Sequence, residues 1–142
     1  MCTQQAMSST PVDELRLGKI PDPRIKVLIA DDTQLTRRAI GRLLRERLEI
    51  EIVGEAADFD QTVQMVNDFK PDIILMDLHL ASQPGIEPLD VRTQLTHGSR
   101  LVAISLAKDE EAVALAESFG AITLLDKMNL FDELIPTILQ FT

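Results

Sequence analysis

At 142 residues the chain has the size of one domain that can bury a real core without disulfide or metal staples. Hydrophobic residues at 45% and charged residues at 26% give a globular balance, while 4% aromatics, with no Trp or Tyr, leave an aliphatic core and make base-stacking surfaces an unsuitable reading. A net charge of −9 repels phosphate backbones and argues against direct nucleic-acid binding by this chain.

Residues 1–24 are polar and broken by Pro11, Pro21 and Pro23, and their one apolar patch, Leu15 to Leu17, is too short for a core, so they read as a flexible tail. Cys2, the only cysteine, excludes an intrachain disulfide or a thiolate metal cluster and makes a reducing cytoplasm the simplest home. The start of the chain lacks the pattern of an export signal, and no apolar run reaches the length of about eighteen residues that a membrane span needs.

From Ile25 onward, short runs of Ile, Val and Leu alternate with segments of helical period, the pattern of repeated βα units around a parallel sheet. The first strand is Ile25 to Ala30, and the helix after it presents Ile40, Leu43, Leu44 and Leu48 on one face. A second strand runs from about Ile50 to Val53. Asp58 with Gln61 three residues on resembles a helix-starting capping pair ahead of Val63, Val66 and Phe69, and Pro71 ends that helix. Asp72 to Met76 is a nearly continuous apolar run, as expected of a central strand, with Asp77 at its carboxyl end.

A third helix is expected to start near Pro88 and to end by Gly98. Leu101 to Ile104 make a fourth strand leading to Ser105, and Ala112, Leu115, Ala116 and Phe119 mark a helix closed by Gly120. Ile122 to Leu125 form the fifth strand. After Lys127, Leu134, Ile135, Ile138 and Leu139 mark a final helix that Pro136 is expected to kink. Five strands and five helices result.

Polar residues gather at the strand ends: Asp31 and Asp32 after the first, Asp77 after the third, Ser105 after the fourth and Lys127 after the fifth. Ligands of open α/β sheets bind at that edge, where the strand order reverses. With strand order 2-1-3-4-5, the first and third strands are neighbours and three carboxylates share one crevice, where they repel one another unless a cation joins them. Oxygen donors without a His or Cys cluster select Mg²⁺ over zinc. Taken singly, each residue has a plain reading: Asp31, Asp32 and Asp77 as helix caps, Lys127 as a solvated amine, Ser105 as a turn residue. The weight lies in the joint pattern.

That pattern, together with Lys70-Pro-Asp-Ile-Ile-Leu-Met-Asp77, resembles the response-regulator receiver domains of two-component signalling over about Ile25 to Phe141. The resemblance implies a flavodoxin-like, doubly wound five-stranded parallel sheet, with residues 25–142 as the receiver domain. It implies that Asp77 accepts a phosphoryl group from a histidine kinase or histidine phosphotransfer protein. Asp32 and Asp77 would be direct Mg²⁺ ligands, Asp31 would help through water, and the backbone carbonyl of His79 would be a further ligand, so that its imidazole need not take part. Lys127 would pair with the carboxylate and then the phosphoryl group, and Ser105 would hydrogen-bond a phosphoryl oxygen. The face of the fourth helix, fifth strand and last helix would meet an unknown protein partner or a second copy in a dimer.

Arg38, Arg42 and Arg45 form a basic stripe on the first helix, either a solvated face or, by the resemblance, a kinase contact. His79 and His97 read as exposed residues rather than metal ligands. Leu124 stands where many family members carry an aromatic switch residue. Met128 replaces a common proline, Leu106 replaces a small residue, and the loop from Leu80 to Gly85 is enlarged by Ala81-Ser82-Gln83. With no output domain after Thr142, the chain reads as a single-domain relay, phosphate sink or binding switch, self-modifying rather than a turnover enzyme. Two rivals remain: a degenerate receiver that binds proteins without phosphorylation, and a Mg²⁺-dependent phosphatase with Asp77 as nucleophile. The phosphatases place a second Asp two residues past the nucleophile, where this chain has His79.

Overall fold

A strand runs almost continuously apolar when both of its faces are covered, and the three central strands of this molecule are of that kind, with polar residues only at or next to their ends. In the computed structural model, which describes residues 23–141, these are β1 (Ile25–Ala30), β3 (Ile73–Asp77) and β4 (Arg100–Ser105). Every residue of β3 is buried. The partly exposed strands β2 (Ile50–Ala56) and β5 (Ala121–Asp126) form the two edges. All neighbours run parallel in the order β2-β1-β3-β4-β5, the flavodoxin-like order expected.

Side-chain alternation along the strands divides the core into two layers. On one face Val27, Ile29, Ile73, Leu75 and Val102 pack with Ile40 and Leu44 of α1 (Gln34–Leu44) and with Leu130, Leu134 and Ile138 of α5 (Leu130–Gln140). On the other face Leu28, Ile74, Met76, Leu101 and Ala103 meet Val66 of α2 (Phe59–Phe69), Val91 and Leu95 of α3 (Pro88–Leu95), and Ala112 and Ala116 of α4 (Glu110–Ser118). Two helices on one side and three on the other make the sheet doubly wound.

Local chemistry sets the helix ends. The Asp58 side chain accepts the Gln61 N–H at 2.8 Å, which satisfies an orphan donor at the start of α2, while the Gln61 side chain accepts the Ala57 N–H at 2.8 Å and ties down the chain just before the cap. Lys70, at φ 48°, turns the chain left-handed ahead of Pro71 and stops that helix. Pro88 opens α3 from its first turn.

Several expectations are corrected. α1 stops at Leu44, so Leu48 lies beyond it and is 52% exposed instead of facing the core. β2 continues past Val53 to Ala56. Phe69 and Leu139, expected on the apolar faces of their helices, are exposed. A one-turn helix, Leu78–Ala81, follows Asp77 and brings the α-helices among the described residues to six rather than five; Lys127–Asn129 add a 3-10 turn. Pro136 sits inside α5. Of the expected tail, residues 1–22 lie outside the described residues, while Arg24 is tied to the sheet edge through the carbonyls of Leu48 at 3.0 Å and Ile50 at 2.6 Å. Cys2 also lies outside them. Among the described residues no helix is long and apolar enough to cross a membrane.

Candidate functional site

Parallel pairing fixes which residues meet at the carboxyl edge of the sheet. Ala30 is level with Met76, so Asp31, the next residue after β1, stands beside Asp77, the last of β3. Asp77 is level with Ile104, which puts Ser105 one step beyond it, and Ser105 is level with Asp126, which puts Lys127 one step past the end of β5. The register thus delivers Asp31, Asp77, Ser105 and Lys127 to one rim.

At that rim Lys127 Nζ lies 3.0 Å from Asp31 Oδ2 and 3.4 Å from Asp77 Oδ1, with its side chain only 15% exposed. Asp31 is buried, and its other oxygen accepts the Thr33 N–H at 2.8 Å. Burial pushes the Asp77 carboxyl above the usual carboxylate range; the Lys127 ammonium opposes this, and the charges of Asp31 and Asp32 add to it. Burial also works against the Lys127 ammonium, but hydrogen bonding to Asp31 and the charges of Asp77 and Asp31 prevail, and its pKa is raised.

Asp32, more exposed, faces outward to His79, whose Nδ1 is 3.1 Å from Asp32 Oδ2. Carboxylate oxygens of Asp32 and Asp77 and a ring nitrogen of His79 all fall within 4.8 Å of one another. Three carboxylates against one ammonium leave two negative charges at the rim, which suits a divalent cation, and hard oxygen donors suit Mg²⁺. The residues present therefore fit such an ion. Ser105 is half-buried at the same edge, where its hydroxyl oxygen accepts the Ala107 N–H at 3.2 Å.

Three features escaped the sequence reading. A ring nitrogen of His79, carried on the one-turn helix after Asp77, lies in the cluster with Asp32 and Asp77. Gln83, from the enlarged loop, donates to the His79 carbonyl at 2.9 Å. Arg37 donates to the Asp31 carbonyl at 2.6 Å and faces Glu55 at 3.6 Å, bracing the turn that carries Asp31 and Asp32. No spacing rule singles out Arg37 from the neighbouring Arg38, since only the turn brings it back to Asp31. Within the basic stripe, Arg45 faces Glu55 at 3.7 Å, while Arg38 and Arg42 are exposed. His79 and His97 are both exposed, as expected.

Beside the rim, Leu35, Leu43, Leu106, Lys127, Met128 and Phe131 line a groove of about 270 Å³ between α1 and the start of α5. Leu106 is 72% exposed and Met128 78%, so two of the three residues that depart from the resembled pattern stand as apolar posts at the mouth of the site, while the third, Leu124, is buried.

The profile of the response regulator receiver domain matches residues 27–139. The chain is 35% identical over 108 residues to protein-glutamate methylesterase/protein-glutamine glutaminase 2 of Shewanella oneidensis, a match that covers 75% of this chain and 30% of that protein. It superposes on the signal receiver domain of the putative response regulator NarL from Mycobacterium tuberculosis with a TM-score of 0.71 and 25% identity, over 82% of this chain and 94% of that one. A structure of the P1 domain of CheA3 in complex with CheY6 from R. sphaeroides shares the fold, with a TM-score of 0.70 and 19% identity over 85% of this chain and 98% of that chain. The chain spans less than a third of its methylesterase relative, so the likeness is to the receiver part, a signalling module. By profile, sequence and fold together, the chain belongs to the response regulator receiver domain family.

Proposed function

We propose that the protein is a phosphorylation-activated response regulator that accepts one phosphoryl group on Asp77 and signals by a change of shape to a protein partner. The observation that carries this reading is the buried Asp77 carboxylate, with Lys127 Nζ 3.4 Å from one oxygen and Asp31 and Asp32 at its side. A carboxylate oxygen of Asp77 attacks phosphorus, the N–P bond of a donor phosphohistidine breaks, and the leaving imidazole takes up a proton from solvent. Lys127 neutralises charge on the phosphoryl oxygens as they approach an anionic rim. Asp32 and Asp77 would hold Mg²⁺ directly, Asp31 through water and His79 as a further donor, and the ion would offset anion repulsion and orient the phosphoryl group. Ser105 then hydrogen-bonds a phosphoryl oxygen and reads the new state. The modification adds about −1.5 to −2 charges, enough to bias a bistable loop.

The donor in this reading is a histidine kinase or histidine phosphotransfer protein in the cytoplasm. Support for such a partner comes from the apolar groove beside the site, the exposed Arg38 and Arg42 on α1, and the similarly folded CheY6, which was solved with the P1 domain of CheA3. A downstream protein or a second copy would meet the face of α4, β5 and α5. The chain modifies itself stoichiometrically and does not turn over an external substrate.

Incubation with Mg²⁺ and a small phosphodonor, followed by intact mass, tests this. One phosphoryl adduct is expected on the wild type and none on Asp77→Asn. An adduct that persists in the variant, or rapid turnover of ordinary phosphate esters, would defeat the assignment.

A further inference from the structure

The geometry points to His79 as an imidazole ligand that tunes this metal site towards first-row transition ions, so that Co²⁺, Ni²⁺ and Zn²⁺ bind more tightly than Mg²⁺. The inference rests on the rim being a divalent-metal site, and it goes further by naming the ion class that the site prefers.

Ligand atoms about 2.1 Å from an octahedral ion lie about 3.0 Å apart when adjacent and about 4.2 Å apart when opposite. Asp32 Oδ2 and His79 Nδ1 are 3.1 Å apart, the edge of such an octahedron, and the three donors of Asp32, Asp77 and His79 all fit within 4.8 Å. Asp32 and His79 already stand at the separation of adjacent donors, and a small side-chain adjustment brings the Asp77 oxygen to the same ion.

The surroundings favour the ring over the carbonyl as the His79 donor. Gln83 Nε2 at 2.9 Å and Ser82 Oγ at 3.3 Å both donate to the His79 carbonyl oxygen and engage its lone pairs. Nδ1 lies 3.1 Å from Asp32 Oδ2, so in the tautomer protonated at Nε2 its lone pair is directed into the same space as the Asp32 carboxylate, where a metal cation can take the place of the proton that otherwise joins the two. The His79 side chain is 71% exposed, which leaves the ring free to settle onto an ion without disturbing the core.

Mixed nitrogen and oxygen donors decide the selectivity. All-oxygen sites suit Mg²⁺, whereas imidazole suits zinc, nickel and their neighbours, and affinity for a given nitrogen-containing site rises along the first row from Mn²⁺ to Cu²⁺. An imidazole in place of a water or a carbonyl therefore raises affinity for the transition ions and leaves Mg²⁺ almost unaffected.

The test uses the full chain with Cys2→Ser, which removes the one thiolate, and titrates Co²⁺ and Mg²⁺ by calorimetry. Relative to this protein, His79→Ala is expected to lower the ratio of Co²⁺ to Mg²⁺ affinity by about tenfold or more. His97→Ala, which alters the only other histidine, is expected to leave the ratio unchanged. Proton NMR of the Co²⁺ form should show a hyperfine-shifted imidazole N–H that is lost in His79→Ala alone. A ratio that stays the same in His79→Ala, or a shifted resonance that follows His97, overturns the assignment. The Mg²⁺-dependent phosphoryl adduct is measured on the same samples: its formation beside an unchanged ratio defeats the ligand inference only, and its absence beside a lowered ratio defeats the phosphoacceptor reading only. Failure to bind either ion overturns both.

Discussion

Asp77 holds its charge where little water reaches it, and the consequence should be measurable in stability before any phosphoryl donor is added. Its pKa in the folded protein lies above the ordinary value of 3.8, chiefly through burial. Between the two values the folded state binds the extra proton, so stability falls as pH rises through that window. Above it the ionised carboxylate costs stability in full; below the ordinary value the cost is gone. Asp77→Asn keeps the shape and removes the charge, while Lys127 retains Asp31 as its partner at 3.0 Å. In the absence of divalent ions the variant should therefore melt higher than the wild type at pH 7. The advantage should shrink to nothing on acidification, and thermal melts across pH 3 to 8 check both halves. The opposite sign belongs to Glu49, whose carboxyl is held at about 2 by Arg47; its contribution is present above the ordinary carboxylate value and is lost as pH falls from there through about 2. The two groups therefore respond to pH with opposite signs, and the comparison with Asp77→Asn isolates the first.

Elements whose limits are written in local chemistry were legible, and those set by distant packing were not. Asp58 and Gln61 announce the start of α2, and the structure shows Asp58 capping the Gln61 N–H and Gln61 reaching back to the Ala57 N–H, each at 2.8 Å. Asp58→Ala should cost about 1 kcal/mol, the usual loss for a helix cap, read as a shift in the urea midpoint without a change in slope. A change in slope would mean that the residue does more than cap. Leu48 shows the opposite case. It continues the period of Ile40, Leu43 and Leu44, but the chain must leave the helix after Leu44 because Ile50 pairs with Ile25 at the head of β1, and no local pattern records that demand. The one-turn helix Leu78–Ala81 was hidden for a related reason: Leu78, Leu80 and Ala81 are buried under the rim, but four residues are too few to display a helical period. The same gap hid the imidazole of His79, since its direction depends on that turn. Asp31, Asp32, Asp77, Ser105 and Lys127 were legible because each stands at the end of an apolar run that the sequence itself marks.

At the scale of the molecule, one topological fact makes the site. Placing β1 next to β3 sets carboxylates from two separate βα units side by side, and the surrounding chain, with a net charge of −9, offers them little relief. Folding therefore drives acidic groups together against their repulsion, and a divalent cation that bridges them should stabilise the whole fold by linkage. A single ion bound only by the folded state adds about 2.7 kcal/mol when its concentration is a hundred times its Kd, and the gain grows with the logarithm of concentration. Monovalent salt does not reproduce this. The donors lie within 4.8 Å of one another, inside a screening length of about 8 Å at physiological ionic strength, so a diffuse ion atmosphere leaves most of the repulsion in place. The melting temperature should accordingly climb with Mg²⁺ at constant ionic strength. In Asp32→Asn, which removes a direct donor while leaving Asp31, Asp77 and Lys127 in place, that climb should flatten. Scanning calorimetry over a Mg²⁺ series for the two proteins decides the matter: a wild-type midpoint indifferent to Mg²⁺, or equal slopes for both, would mean that the carboxylates gathered by β1 and β3 do not act as one metal site.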